Sequence, residues 1–102
     1  MSAKIVVLYP HPTDPSAFER DYHGRHMPLM RQLVAPAGRV PTFAVKGPQS
    51  AVFYRMAEIH FDDLGALITF ARSEDAQLAR RSSESVSTGG TPLVLICERD
   101  AR

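Results

Sequence analysis

Two short apolar runs, one near each end of the chain, constrain the fold most. Residues 5–9 read Ile-Val-Val-Leu-Tyr and residues 93–97 read Leu-Val-Leu-Ile-Cys. Successive side chains of an extended segment point to opposite sides, so each run offers apolar groups to both faces at once. Such runs predict strands that need cover on both faces. Neither approaches the roughly 20 apolar residues of a membrane-spanning helix. The first stops at Pro10 behind a single lysine, which is not the pattern of a secretory leader. A chain of 102 residues corresponds to about one small domain, which leaves little margin for bare apolar surface.

Between these runs the pattern changes period. The first strand spans residues 3–9, and the prolines of Pro10-His11-Pro12-Thr13 force a turn. Asp14-Pro15 then opens a helix, the aspartate as cap and the proline at the first helical position. Phe18, Tyr22, His26, Leu29 and Leu33 follow at steps of four, four, three and four, so they share one helix face. Pro28 removes a helical hydrogen bond and crowds the carbonyl of Gly24, which predicts a kink or break around Gly24–Met27. Ala35-Pro36-Ala37-Gly38 ends the helix.

A second strand is expected at 39–46, with Pro41 restricting it to an edge or to the strand start. Gly47-Pro48-Gln49-Ser50 is a loop, and residues 51–61 form the longest strand. Asp62 is the expected cap of a second helix, and Ser73 caps a short further helix through Arg81. Residues 82–90 (SSESVSTGG) read as a polar loop before a last strand at 91–99.

The order is strand, helix, strand, strand, helix, strand, without a linker that would divide it. That is the ferredoxin-like βαββαβ arrangement of an α+β fold, as one domain over residues 1–102. Right-handed crossovers put both helices on one face of the antiparallel sheet. The other face then lacks cover from its own chain, and a second copy is the simplest cover, making a homodimer with a cavity between the two sheets.

Residues 18–29 (FERDYHGRHMPL), after an opening strand that ends Tyr9-Pro10, resemble the EthD family. That family is named for ethyl tert-butyl ether degradation and belongs to the dimeric α+β barrel superfamily. Tyr22, His26, Pro28 and Leu29 occupy the matching positions, and Glu58-Ile59-His60-Phe61-Asp62 is similar to the family's third strand running into its second helix. Residues 82–90 depart from the Asp/Asn-rich stretch often found there. The resemblance implies a homodimeric α+β barrel around a small-molecule cavity. It implies no single reaction, because relatives on this fold include lactone isomerases and polyketide-tailoring dehydratases or cyclases.

His26 is the first candidate catalytic residue. An imidazole on the buried side of a helix needs a hydrogen-bond partner or a chemical role, and near neutral pH it can take or give a proton. The third strand supplies a second cluster. Tyr54, Met56, Glu58 and His60 alternate with Phe53, Arg55, Ala57, Ile59 and Phe61, so the first set is expected to line the cavity while the second meets the helices. Glu58 beside His60 would orient that imidazole and raise its basicity. Tyr9, Tyr22, Tyr54 and Met56 are the candidate substrate contacts. The Pro28 break is expected to bring His26 into the same cavity as Tyr54, Glu58 and His60.

Other readings are weaker. Glu19 and His23 are displaced from the His26 face and read as a surface pair rather than metal ligands. Cys97 lies in an apolar run and reads as a structural thiol, and a single cysteine makes no internal disulfide, consistent with the cytoplasm. Twelve basic against eleven acidic residues give a net charge of +1, too little for nucleic-acid binding. There is no P-loop, dinucleotide fingerprint, HExxH or CxxC, so no cofactor or metal is expected.

The expected function is cofactor-independent histidine acid/base chemistry on a hydrophobic oxygenated substrate such as a lactone or enolisable carbonyl compound. It would be an isomerisation, dehydration or cyclisation. A carrier protein for such a molecule is the alternative. A haem-handling barrel is a third reading, for which only His26 offers an axial ligand.

Overall fold

A computed structural model describes residues 1–34 and 39–101, with Gln49 described in its backbone only. Four strands form one antiparallel sheet in the order β2-β3-β1-β4. They are β1 (Ala3–Pro10), β2 (Thr42–Ala44), β3 (Phe53–Phe61) and β4 (Leu93–Glu98). The central pair matches Ile5 with Ile59 and Val7 with Ala57, and β1 also matches Ile5 with Ile96 and Val7 with Val94. The helices are α1 (Pro15–Asp21), α2 (Met27–Val34), α3 (Leu64–Ala71) and α4 (Glu74–Val86). They pack on the face carrying Ala3, Ile5, Ile59 and Phe61, where Met30, Val34, Leu67 and Ala79 complete a buried core. The ferredoxin-like α+β fold expected from the element order is the observed one.

Local chemistry explains where the elements start and stop. Asp14 accepts from the Ala17 N–H, with Pro15 in the first turn of α1. Between α1 and α2 lies a π-helical turn, Tyr22–His26, in which the Met27 N–H reaches the Tyr22 carbonyl five residues back. This is the form the Pro28 disturbance takes. With no N–H at position 28, the chain widens the preceding turn instead of breaking the helix. The helix end expected at 35–38 lies outside the described residues.

Regular β2 is shorter than expected. Pro41 has no N–H to donate, yet its carbonyl accepts from Glu58 N–H and the Arg39 carbonyl from His60 N–H, so 39–41 follow β3 irregularly along the sheet edge. Residues 48–51 form a 3₁₀ turn, and β3 begins at Phe53. Asp63, not Asp62, caps α3 by accepting from Ala66 N–H at 2.7 Å. Ser73 caps α4 as expected. However, α4 continues to Val86 and absorbs half of the stretch read as a loop, because Ala79, Ser82, Ser83 and Val86 bury one face of it.

Candidate functional site

The last residues of β1, the π turn and the middle of α4 converge on the helix-covered side of the sheet. Tyr9 rises from β1 and His26 closes the π turn, each at most 2 % exposed. Phe18 and Tyr22 stack with centroids 5.1 Å apart, and Tyr9 meets both edge-on. This aromatic packing wedges the imidazole, whose ring lies 5.4 Å from Tyr22 and 6.4 Å from Tyr9. Two consecutive serines of α4 then complete a chain of hydrogen bonds. Ser82 Oγ lies 2.7 Å from His26 Nδ1, His26 Nε2 lies 3.2 Å from the Tyr9 hydroxyl, and that hydroxyl lies 2.8 Å from Ser83 Oγ.

A cavity of about 440 Å³ opens beside this chain, between sheet and helices. Its walls are mainly apolar, with Ile5, Val7 and Ile59 from the sheet and Met30, Phe70 and Ala79 from the helices. Tyr9, His26 and Ser83 line it, while Ser82 stands behind the imidazole. Arg80 and Glu84, both exposed, mark the polar part of the rim, and Val94 and Ile96 of β4 form the opposite side.

Burial sets the protonation states. Desolvation, helped by the positive charge of Arg25, lowers the His26 pKa from 6.5 to about 4, so the imidazole is neutral at physiological pH. Burial also pushes the Tyr9 phenol well up, and the Ser83 hydrogen bond opposes this only in part. The site therefore presents a neutral imidazole and a firmly protonated phenol to an apolar space. Such a pair can donate to, or accept from, a ligand oxygen and can move a proton between ligand and imidazole.

The other expected site residues lie elsewhere. Glu58 and His60 project from the opposite face of the sheet, so His26 does not share a cavity with them. There His60 Nε2 lies 2.7 Å from Glu58 Oε1 and Lys4 Nζ lies 3.0 Å from Oε2. Burial raises the Glu58 pKa, but the bonds from Lys4 and His60 outweigh it and hold the carboxyl below its ordinary value. Met56 lies on this same face, opposite Leu8 in the register.

Tyr54 departs from the expected alternation. The ladder pairs Tyr9 with Arg55 but Pro10 with Phe53, so Tyr54 is the extra residue of a bulge. The bulge turns Tyr54 as well as Arg55 towards α1. The Tyr54 hydroxyl donates to Glu19 Oε1 at 2.6 Å, and Arg55 donates to both Glu19 oxygens. His23 also reaches Glu19, at 2.9 Å, as the surface pair expected from their spacing. Tyr22 is fully buried, and its hydroxyl meets Thr42 Oγ1 at 2.7 Å instead of lining the cavity. Of the tyrosines, Tyr9 alone lines the cavity among the described residues.

Ser82 and Ser83 were missed because a serine-rich stretch reads as a loop. The signal was present as Ala79, Ser82, Ser83 and Val86, whose spacing of three, four and seven continues the inner face of α4.

No family model matches the chain. An EthD-family protein of Bacillus halodurans, solved by crystallography, superposes with a TM-score of 0.83 at 26 % identity, over 98 % of this chain and all of its own. The EthD resemblance holds in three dimensions. Sequence similarity extends to an uncharacterized 11.0 kDa protein from the thcB-thcC intergenic region of Rhodococcus erythropolis, 24 % identical over 93 % of each chain. The hydroxynitrile lyase of Passiflora edulis has the same fold, with a TM-score of 0.71 at 13 % identity, over 99 % of this chain and 95 % of its own. Several further neighbours on the EthD-like fold are described as dimeric ferredoxin-like proteins, among them one from Jannaschia sp. at a TM-score of 0.73.

Proposed function

We propose that this EthD-like protein binds a hydrophobic, oxygen-bearing small molecule in the cavity between sheet and helices and moves a proton at or beside its oxygen. The observation that carries this reading is the Tyr9–His26 pair on the wall of an otherwise apolar cavity. The neutral His26 imidazole acts as the final proton acceptor of the hydrogen-bonded chain, and the ligand oxygen meets that chain at the residues lining the cavity. An apolar space strengthens both interactions by keeping water out. Enolisation, cyclisation or elimination of a neutral hydroxy or carbonyl compound needs no more than this. A hydroxynitrile lyase on the same fold supports an enzymatic reading without naming a reaction for this chain.

The functional unit in this proposal is a cytoplasmic homodimer. Leu93 and Leu95 leave an apolar surface on the open face of the sheet, and fold neighbours described as dimeric support its cover by a second copy. Glu58 and His60, catalytic in the sequence-based expectation, are here assigned to that interface together with Lys4.

The alternative is a carrier using the same cavity. Replacing His26 by alanine separates the two. For an enzyme, turnover of a substrate, identified by mass from the purified protein, falls at least about tenfold while the protein still binds it. For a carrier, only affinity changes. A His26→Ala variant with unaltered turnover and affinity would refute both.

A further inference from the structure

The chain Ser82–His26–Tyr9–Ser83 begins and ends on adjacent residues of α4, and its direction is not arbitrary. A neutral imidazole has one N–H and one lone pair, so one nitrogen donates and the other accepts. The phenol is the most acidic donor in the chain and the imidazole nitrogen the strongest acceptor. Pairing them makes the Tyr9 hydroxyl donate to His26 Nε2. The proton then sits on Nδ1, which donates to Ser82 Oγ 2.7 Å away. With its own hydrogen directed at His26 Nε2, the Tyr9 oxygen accepts from the Ser83 hydroxyl at 2.8 Å. Ser83, which lines the cavity, is left presenting lone pairs to whatever occupies it.

We propose that the cavity is built to receive a hydrogen-bond donor: an apolar alcohol or phenol whose hydroxyl donates to Ser83, rather than a ketone, ester or ether. Ser82 is a positioning residue in this account, because by accepting from Nδ1 it holds the imidazole in the tautomer that directs the whole chain. A carbonyl ligand would need every bond in the chain reversed and the imidazole proton moved to Nε2. The inference rests on the proposed use of this cavity and narrows its ligand class.

Two measurements test it. In the ¹⁵N-labelled protein without ligand, long-range ¹H–¹⁵N correlations at pH 7 should show His26 protonated at Nδ1 and bare at Nε2. Ser82→Ala should give a mixture of the two tautomers, and Ser82→Thr should restore the parent pattern. A proton resident on Nε2 in the parent overturns the proposal. The second measurement titrates the protein with 1-phenylethanol and with acetophenone, which share one carbon skeleton. The alcohol should bind about tenfold more tightly, equivalent to 1.4 kcal/mol, and Ser83→Ala should erase the difference. Equal or tighter binding of acetophenone overturns the donor preference while leaving the cavity as a ligand site. Binding of neither probe contradicts the cavity reading and the inference with it.

Discussion

The two faces of the sheet treat a histidine in opposite ways. On the helix-covered face His26 is packed among aromatic rings at the cavity wall, and its partners among the described residues are the hydroxyls of Tyr9 and Ser82. On the open face His60 lies against Glu58, which also holds Lys4. The first environment keeps the imidazole uncharged beside mainly apolar walls and suits an apolar ligand. The second is a charged cluster set among Leu95, Val6 and Met56, and suits a polar centre in an interface. What separates the two roles is the face of the sheet: the π turn holds His26 over the helix-covered face, while β3 directs His60 to the open one.

The largest expected effect of this contrast is on acid stability. The His26 pKa is lowered on folding, from 6.5 to about 4. The unfolded chain therefore takes up a proton that the native chain refuses as pH falls through that window. The full stability is present above pH 6.5 and is lost progressively towards pH 4, by roughly 3 kcal/mol at the lower end. Urea unfolding at pH 7 and pH 4.5 should show the loss in the parent, and His26→Gln should largely abolish that part of the pH dependence. An equal pH dependence in both would break the contrast. Glu19 and Glu58 have lowered pKa values, so their stabilisation is lost as pH falls from the ordinary carboxylate value through the lowered one, further down than the window of His26.

Next in size is the open face. Leu95→Asp should convert a dimer near twice 11.3 kDa into a monomer by light scattering, because it places an unpaired carboxylate in an apolar contact. The His26 tautomer should not change. A parent protein that is already monomeric at micromolar concentration would remove the interface role given to Lys4, Glu58 and His60.

A smaller effect is expected from Pro28→Ala. Restoring the missing N–H returns a bond worth about 1 kcal/mol and should convert the π turn to a regular helix. His26 would then rotate away from Tyr9. A crystal structure of the variant that superposes on the parent through residues 21–33 would show that the proline does not place the imidazole.

Much of this was legible in the residues. The double-faced runs of β1 and β4, the capping of α1 by Asp14 and the disturbance before Pro28 follow from local chemistry and appear where local chemistry puts them. The outward set Met56, Glu58 and His60 follows from strict alternation along β3. Alternation fails at Tyr54, because a bulge depends on how β1 and β3 end against one another and leaves no mark in β3 alone. The serines of α4 were obscured for another reason. Helix propensity disfavours them, and tertiary burial between Ala79 and Val86 overrides propensity. The cavity was sought between two sheets, whereas the one beside His26 lies between sheet and helices, where the wide π turn and small residues such as Ala57 and Ala79 leave room.

The central claim is that ligand chemistry belongs to the helix-covered face. Mapping ¹H–¹⁵N shift changes as 1-phenylethanol is added tests it most directly. The account predicts perturbations at Tyr9, His26, Met27 and Ser83, with Glu58 and His60 unmoved. Changes confined to Met56, Glu58, His60 and Leu95 would contradict it.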